Sequence, residues 1–141
     1  MSKKRESLLW LQLKDCDKKA HFTRVESNTV NGIPDVHCVF NKQIFWLELK
    51  SNDDKNCGLS KWQINWHIKY LNAGGKVFIL NRPLKDSALE ILAVCRESRT
   101  SYLVHRTADV SKTGIQSCLQ ACCSVKLDSR AEGSRFSYLA N

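Results

Sequence analysis

The sequence predicts an α/β domain: a central mixed sheet of four to five strands flanked by helices, in the order αβββαβ. Three observations predict it. Residues 36–40 and 44–50 alternate apolar and polar side chains, as paired strands do. Residues 59–71 carry apolar side chains at helical spacing behind a capping signal. The run Val77-Phe78-Ile79-Leu80 that follows is apolar throughout, as in a buried strand.

The elements follow in order. Residues 3–13 read as a first helix, with Glu6, Leu9 and Leu13 on one stripe and Leu8 and Trp10 beside it. Residues 22–26 read as a short strand, and the polar run 27–32 as a loop. Ser60 with Gln63 three residues on is a capping box, with Leu59 and Ile64 spaced as its hydrophobic staple. Trp62, Trp66 and Tyr70 form one stripe of that helix, and Gly74-Gly75 stops it. Beyond Pro83 the pattern is ambiguous: residues 87–96 fit a helix capped by Ser87 and Glu90, and equally a strand through 89–94. Residues 102–104 suit a short strand, residues 110–123 a last helix, and 124–141 a polar, loosely held tail.

Composition narrows the class. The chain has 141 residues, enough for one core without staples, and 22 Lys and Arg against 14 Asp and Glu, a net charge of +8. Gly and Pro are too few for a collagenous or low-complexity chain. No run approaches the roughly 18 apolar residues of a membrane helix, and no signal-peptide pattern follows the charged start. Seven cysteines, an odd number without a secretion signal, are expected to be free thiols. Cys118, Cys122 and Cys123 lack a second ligand pair at zinc spacing, so no structural zinc is expected. The basic excess points to a polyanionic partner, nucleic acid among the candidates.

The hairpin carries the chemistry. Alternation puts Val36, Cys38 and Phe40 on one face of its first strand, and Phe45, Leu47 and Leu49 on one face of its second. Matching these faces sets an even-length loop, here 41–44, with Phe40 opposite Phe45 and Asp35 opposite Lys50. Asp35, Glu48 and Lys50 then converge on the other face. Oxygen ligands of this kind suit hard Mg²⁺ or Mn²⁺.

Asp35 followed by Glu-x-Lys is the pattern of the PD-(D/E)XK nuclease superfamily. Gly32-Ile33-Pro34-Asp35, the triplet Glu48-Leu49-Lys50, and the helix opening Leu59-Ser60-Lys61-Trp62-Gln63 and ending in Gly74-Gly75 make the chain resemble its VRR-NUC branch. That branch is phage-type and Holliday-junction-resolvase-like, and the resemblance covers residues 6–80. It implies a restriction-endonuclease-like core and a Mg²⁺- or Mn²⁺-dependent DNA endonuclease. The metal ligands it implies are Asp35, Glu48 and the carbonyl of Leu49. Lys50 orients or deprotonates the attacking water, or stabilises transition-state charge. Gln63 is implied at the site, and Glu6 as an acidic helper on the first helix. Glu26, on the strand nearer Asp35, is its rival. The products implied are a 5′-phosphate and a 3′-hydroxyl.

Each assignment has a structural competitor. Asp35 suits a turn after Pro34, Glu48 and Lys50 a solvent-facing pair, and Gln63 its cap alone. His37 shares the face of Asp35 and could contact metal or DNA, but a strand histidine is more often a packed polar residue. His67, one turn after Gln63, could reach phosphate, against a similar packing role. The Trp62 stripe suits packing better than base stacking, although one exposed tryptophan is compatible with it. Lys3, Lys4, Arg5, Lys18, Lys19 and Arg24, then Lys55, Lys61, Lys69 and Lys76, fit backbone contacts that position DNA without reading its sequence.

The expected organisation is a nuclease core over 1–83, a C-terminal part of the same domain over 84–123, and the tail. The expected partner is DNA, cut by structure rather than by sequence, with a homodimer supplying two sites for two strands. No membrane partner and no small-molecule cofactor are expected, and the expected location is cytoplasmic, the host's cytoplasm for a phage-encoded chain. Two other classes remain: a catalytically inactive nucleic-acid-binding module, and a basic viral adaptor protein.

Overall fold

The computed structural model describes residues 2–27 and 29–127. The order is α1 (Ser2–Lys14), β1 (His21–Arg24), β2 (Val36–Phe40), β3 (Gln43–Lys50), α2 (Lys61–Asn72), β4 (Val77–Asn81), β5 (Leu89–Val94), β6 (Ser101–Thr107) and α3 (Lys112–Ser124). A single 3₁₀ turn, Lys55–Gly58, lies between β3 and α2. The sheet has six strands in chain order, β1 to β6, one more than the upper expectation. Only β3 and β4 run parallel, because α2 carries the chain back across the sheet between them. Every other neighbouring pair is antiparallel.

The extra strand comes from the ambiguous stretch. Residues 89–94 form a strand, and the helical alternative fails. Leu89, Ile91 and Ala93 are buried while Glu90 and Leu92 are only partly so, which is period two. The free edge of β4 decides between the two readings, since it offers β5 a full ladder of backbone partners. The last strand is longer than the three residues expected and pairs with β5 along its length.

Helices cover both sheet faces. On one face α1 and α3 lie over a core of Leu9, Leu13, Phe45, Leu47, Phe78 and Leu119, among others. On the other, Ile64 and Ile68 of α2 pack with Ile79, Val94 and Cys57. All five residues of β4 are therefore buried, which explains its uninterrupted apolar run. All seven cysteines are free thiols, as expected. Lys76, expected near DNA, instead points its ammonium at the carbonyls of Cys122 and Cys123, 3.0 and 3.2 Å away. It closes the C-terminus of α3, where a helix presents unpaired carbonyls to a cation. The expected tail lies, from residue 128 on, outside the described residues.

The hairpin register differs from expectation by two residues. Phe40 pairs with Gln43 and Val36 with Leu47, so the loop is Asn41-Lys42 alone. Both residues have positive φ, 50° and 66°, as a type I′ turn demands. That turn matches the strand twist and extends the ladder, so it wins over a four-residue loop. A slip of two keeps every side chain on its predicted face. It does change the partner: continuing the ladder from Val36–Leu47 brings Asp35 opposite Glu48, rather than Lys50.

Lys42 adopts the left-handed region, which costs a non-glycine residue about 1–2 kcal/mol. Lys42→Gly, giving the favoured Asn-Gly turn, is expected to raise stability in urea denaturation by roughly 0.5–1 kcal/mol net of the added backbone entropy.

Candidate active site

Asp35 ends the Gly32-Ile33-Pro34 loop one residue before β2. Its carbonyl accepts from the amide of Val25, 2.8 Å away, which ties the loop to the end of β1. Its Oδ2 accepts from the backbone N–H of Leu49 at 2.8 Å. The N–H and C=O of one strand residue project to the same side. The Leu49 carbonyl therefore also faces the Asp35 side of β3.

Glu48 is not the solvent-facing residue of the competing reading: it is 2 % exposed. α2 covers it. Gln63 Nε2 donates to Glu48 Oε2 at 3.1 Å. The same Gln63 side chain accepts from the Ser60 amide through Oε1 at 2.9 Å, while Ser60 Oγ accepts from the Gln63 amide at 3.2 Å. The capping box and the contact with Glu48 are therefore two ends of one amide. Lys50 shares the Glu48 face, two residues along the strand. Its ammonium acts electrostatically on Glu6, Glu48 and His67.

Burial pushes the Glu48 carboxyl up to about 10. Asp35 adds to this, by repulsion and by accepting a hydrogen bond from the protonated acid, and Lys50 only partly opposes it. Glu48 therefore keeps its proton where an exposed carboxyl group would lose it. Among the described residues, Glu48 Oε1 has no hydrogen-bond partner. His67 Nε2 lies 3.8 Å from it. This contact is no ion pair, because burial lowers the imidazole to about 4 and leaves it neutral. His67 is 0 % exposed, so it does not reach a phosphate at the surface.

Glu6 and Glu26 line the same cleft and differ in burial. Burial raises the Glu6 pKa, and Lys50, Asp35, Arg5 and Arg24 all act on its charge. Glu6 in turn acts on Glu48. Glu26 lies past the end of β1, not on the strand, and is exposed. His37 packs edge-on against Trp46, ring centroids 5.0 Å apart, so the packing role holds for it. Trp66 stacks on Tyr70 at 4.8 Å and meets Trp46 edge-on, again packing. Trp62 is 51 % exposed, with the Lys61 ammonium over its ring.

Of these groups, Glu6, Glu26, Asp35, Trp62 and Gln63 line a cleft of about 570 Å³ together with Lys3 and Arg24, while Glu48 and His67 lie buried behind it. A larger groove of about 730 Å³ on the far side of α1 is lined by leucines and the 82–87 loop, and none of these carboxyl groups opens onto it. Asn81 was not singled out from the sequence. It is buried opposite Lys50, donates to the Asn52 carbonyl at 3.1 Å and to Glu90 at 3.1 Å, and so holds the chain leaving β3. Its signal was there: a lone amide closing an apolar strand.

Among the described residues no three His, Cys, Asp or Glu side chains form a metal-binding group. A six-coordinate cation such as Mg²⁺, which keeps several of its waters, needs no such group, only one or two carboxylates together with substrate phosphate. Asp35, Glu48 and the Leu49 carbonyl are a hard-oxygen set of that kind. The unpartnered Glu48 oxygen and the suppressed ionisation are what a divalent cation relieves, so the residues fit it.

No family model and no curated protein sequence matches the chain. Its fold is shared with Hjc, a Holliday junction resolvase from the archaeal hyperthermophile Archaeoglobus fulgidus. That solved structure is 13 % identical in sequence, with a TM-score of 0.52 over 84 % of this chain and 98 % of the other. The architecture is thus restriction-endonuclease-like, as expected. No helix among the described residues is long and apolar enough to cross a membrane.

Two outcomes follow from this geometry. Glu48 is raised above its unfolded value, so the folded, metal-free chain binds the extra proton and its stability falls as pH rises from about 4.5 towards 10. Thermal melts are expected to show that fall, a flatter one in Glu48→Gln, and a Mg²⁺-induced rise in Tm that is larger near pH 8.5 than near pH 6. Gly32 has φ +82°, and a Cβ there would overlap the Trp62 carbonyl in the first turn of α2. Gly32→Ala is expected to cost about 2 kcal/mol or more in urea denaturation and to weaken the Mg²⁺ response, because it pushes the Asp35 loop away from Gln63.

Proposed function

We propose that this chain is a metal-dependent DNA endonuclease that hydrolyses phosphodiester bonds in branched or junction DNA, as a phage-type VRR-NUC protein of the PD-(D/E)XK superfamily. The observation that carries this reading is the meeting of Asp35 with the buried Glu48 beneath α2, leaving one Glu48 oxygen without a partner. The fold shared with a Holliday junction resolvase supports it, and so does the ordered set Gly32-x-Pro34-Asp35, Glu48-x-Lys50 and Gln63.

In this reading Asp35, Glu48 and the Leu49 carbonyl hold Mg²⁺ or Mn²⁺. When bound, the cation offsets phosphate charge and lowers the pKa of a water beside it. Lys50 supplies a positive charge next to the carboxylates, where charge builds on the phosphoryl oxygens. Gln63 keeps Glu48 in one rotamer by hydrogen-bonding Oε2. Glu6 adds negative charge at the mouth of the cleft and helps retain the cation. Lys3 and Arg24 line the same cleft and meet DNA phosphates without reading bases. Trp62 presents an exposed ring at its edge, a stacking surface for the unpaired bases found at branch points. A homodimer supplies the second site needed to cut two strands symmetrically.

The test is cleavage of supercoiled plasmid and of a panel of four-way, flap and linear substrates. Mg²⁺-dependent products are expected, favouring branched DNA, blocked by EDTA and reduced at least a thousandfold in Asp35→Ala and Lys50→Ala. DNA binding by Asp35→Ala without any cleavage by the parent chain would show a binding module. Neither binding nor cleavage would leave the adaptor reading.

A further inference from the structure

Among the described residues, the buried side-chain polar atoms that lack a hydrogen-bond partner are Glu48 Oε1 and both ring nitrogens of His67. His67 Nε2 faces Glu48 Oε1 across 3.8 Å, too long for a hydrogen bond. A fully buried imidazole with no partner is an unfavourable choice where an apolar ring would fill the same space. Position explains the residue. His67 follows Gln63 by four, so both project from one face of α2. Gln63 already holds Oε2 of the same carboxyl group. The other oxygen, Oε1, lies within about 1 Å of hydrogen-bond distance from the imidazole Nε2, so a small rotamer adjustment brings the two together.

We infer that His67 is a positioning residue: its Nε2–H donates to Glu48 Oε1 once a cation is held, so that α2 grips both oxygens of one metal ligand. Each carboxylate oxygen has two lone pairs, and one donor apiece leaves a lone pair on each for a cation. The imidazole touches neither substrate nor cation. This inference rests on the reading of Asp35 and Glu48 as the divalent site.

The experiment uses the full chain with Mg²⁺ alone, without DNA, at fixed pH. Mg²⁺ affinity is measured calorimetrically for the parent, His67→Phe, His67→Gln and Asp35→Asn. In parallel, ring-nitrogen NMR of the four histidines is followed through the titration, with His67→Phe assigning the signal. The expected result is that Mg²⁺ drives His67 to a single Nε2–H tautomer. His67→Phe should bind Mg²⁺ about 10–100-fold more weakly, as losses of a ligand's hydrogen-bond partner do, and His67→Gln should recover part of that loss. Unchanged His67 nitrogens at Mg²⁺ saturation, or Mg²⁺ bound by His67→Phe as tightly as by the parent, overturns the inference alone. Should His67→Phe not fold, Gln and Asn at position 67 are compared for the signal's assignment and the parent's nitrogen shifts decide. Absence of Mg²⁺ binding by the parent, or binding indifferent to Asp35→Asn, overturns the metal reading and the role of His67 together.

Discussion

Two acidic side chains held against each other in a water-poor corner are the constraint around which this molecule is arranged. Asp35 and Glu48 reach that corner from neighbouring antiparallel strands. The Leu49 amide fixes one and the Gln63 amide fixes the other. Burial and the neighbouring Asp35 make the Glu48 carboxyl keep its proton far above the usual range. A pair like this is a poor device for stability, since a buried charge without a partner is costly. It becomes reasonable as a receptor for positive charge.

The helix above the pair links fold and site. α2 returns the chain across the sheet so that β4 can run parallel to β3. Its first turn packs against Gly32, so the loop bearing Asp35 and the helix bearing Gln63 locate each other through backbone contact. The amide that closes the helix N-terminus also reaches Glu48. Disturbing the cap therefore disturbs the carboxylate.

Much of this was legible in the residues. Period-two alternation over 36–40 and 44–50 assigned Asp35, Glu48 and Lys50 to a common face, and the structure keeps them there. The capping box at Ser60 and Gln63 and the buried strand after Gly75 were equally local. The misreadings share a cause. Alternation determines faces but is blind to shifts of two, so the turn geometry of Asn41-Lys42 decided which residue stands opposite Asp35. Residues 89–94 fitted either element until a free strand edge was available to pair with them. Lys76 read as a surface cation because nothing local shows that the end of α3 comes to rest above it.

By itself the sequence determined the α/β class, the order of elements through β4, and the residues able to share the acidic face. Each of these depends on periods of 2 and 3.6 and on capping chemistry, which act over a few residues. The tertiary structure alone decided that Glu48 is buried rather than solvated, that Glu6 is partly buried where it acts on the Glu48 charge, and that His67 turns inward to face it. Those outcomes depend on which surfaces are pressed together from distant parts of the chain, and burial is what changes a carboxyl group's proton affinity.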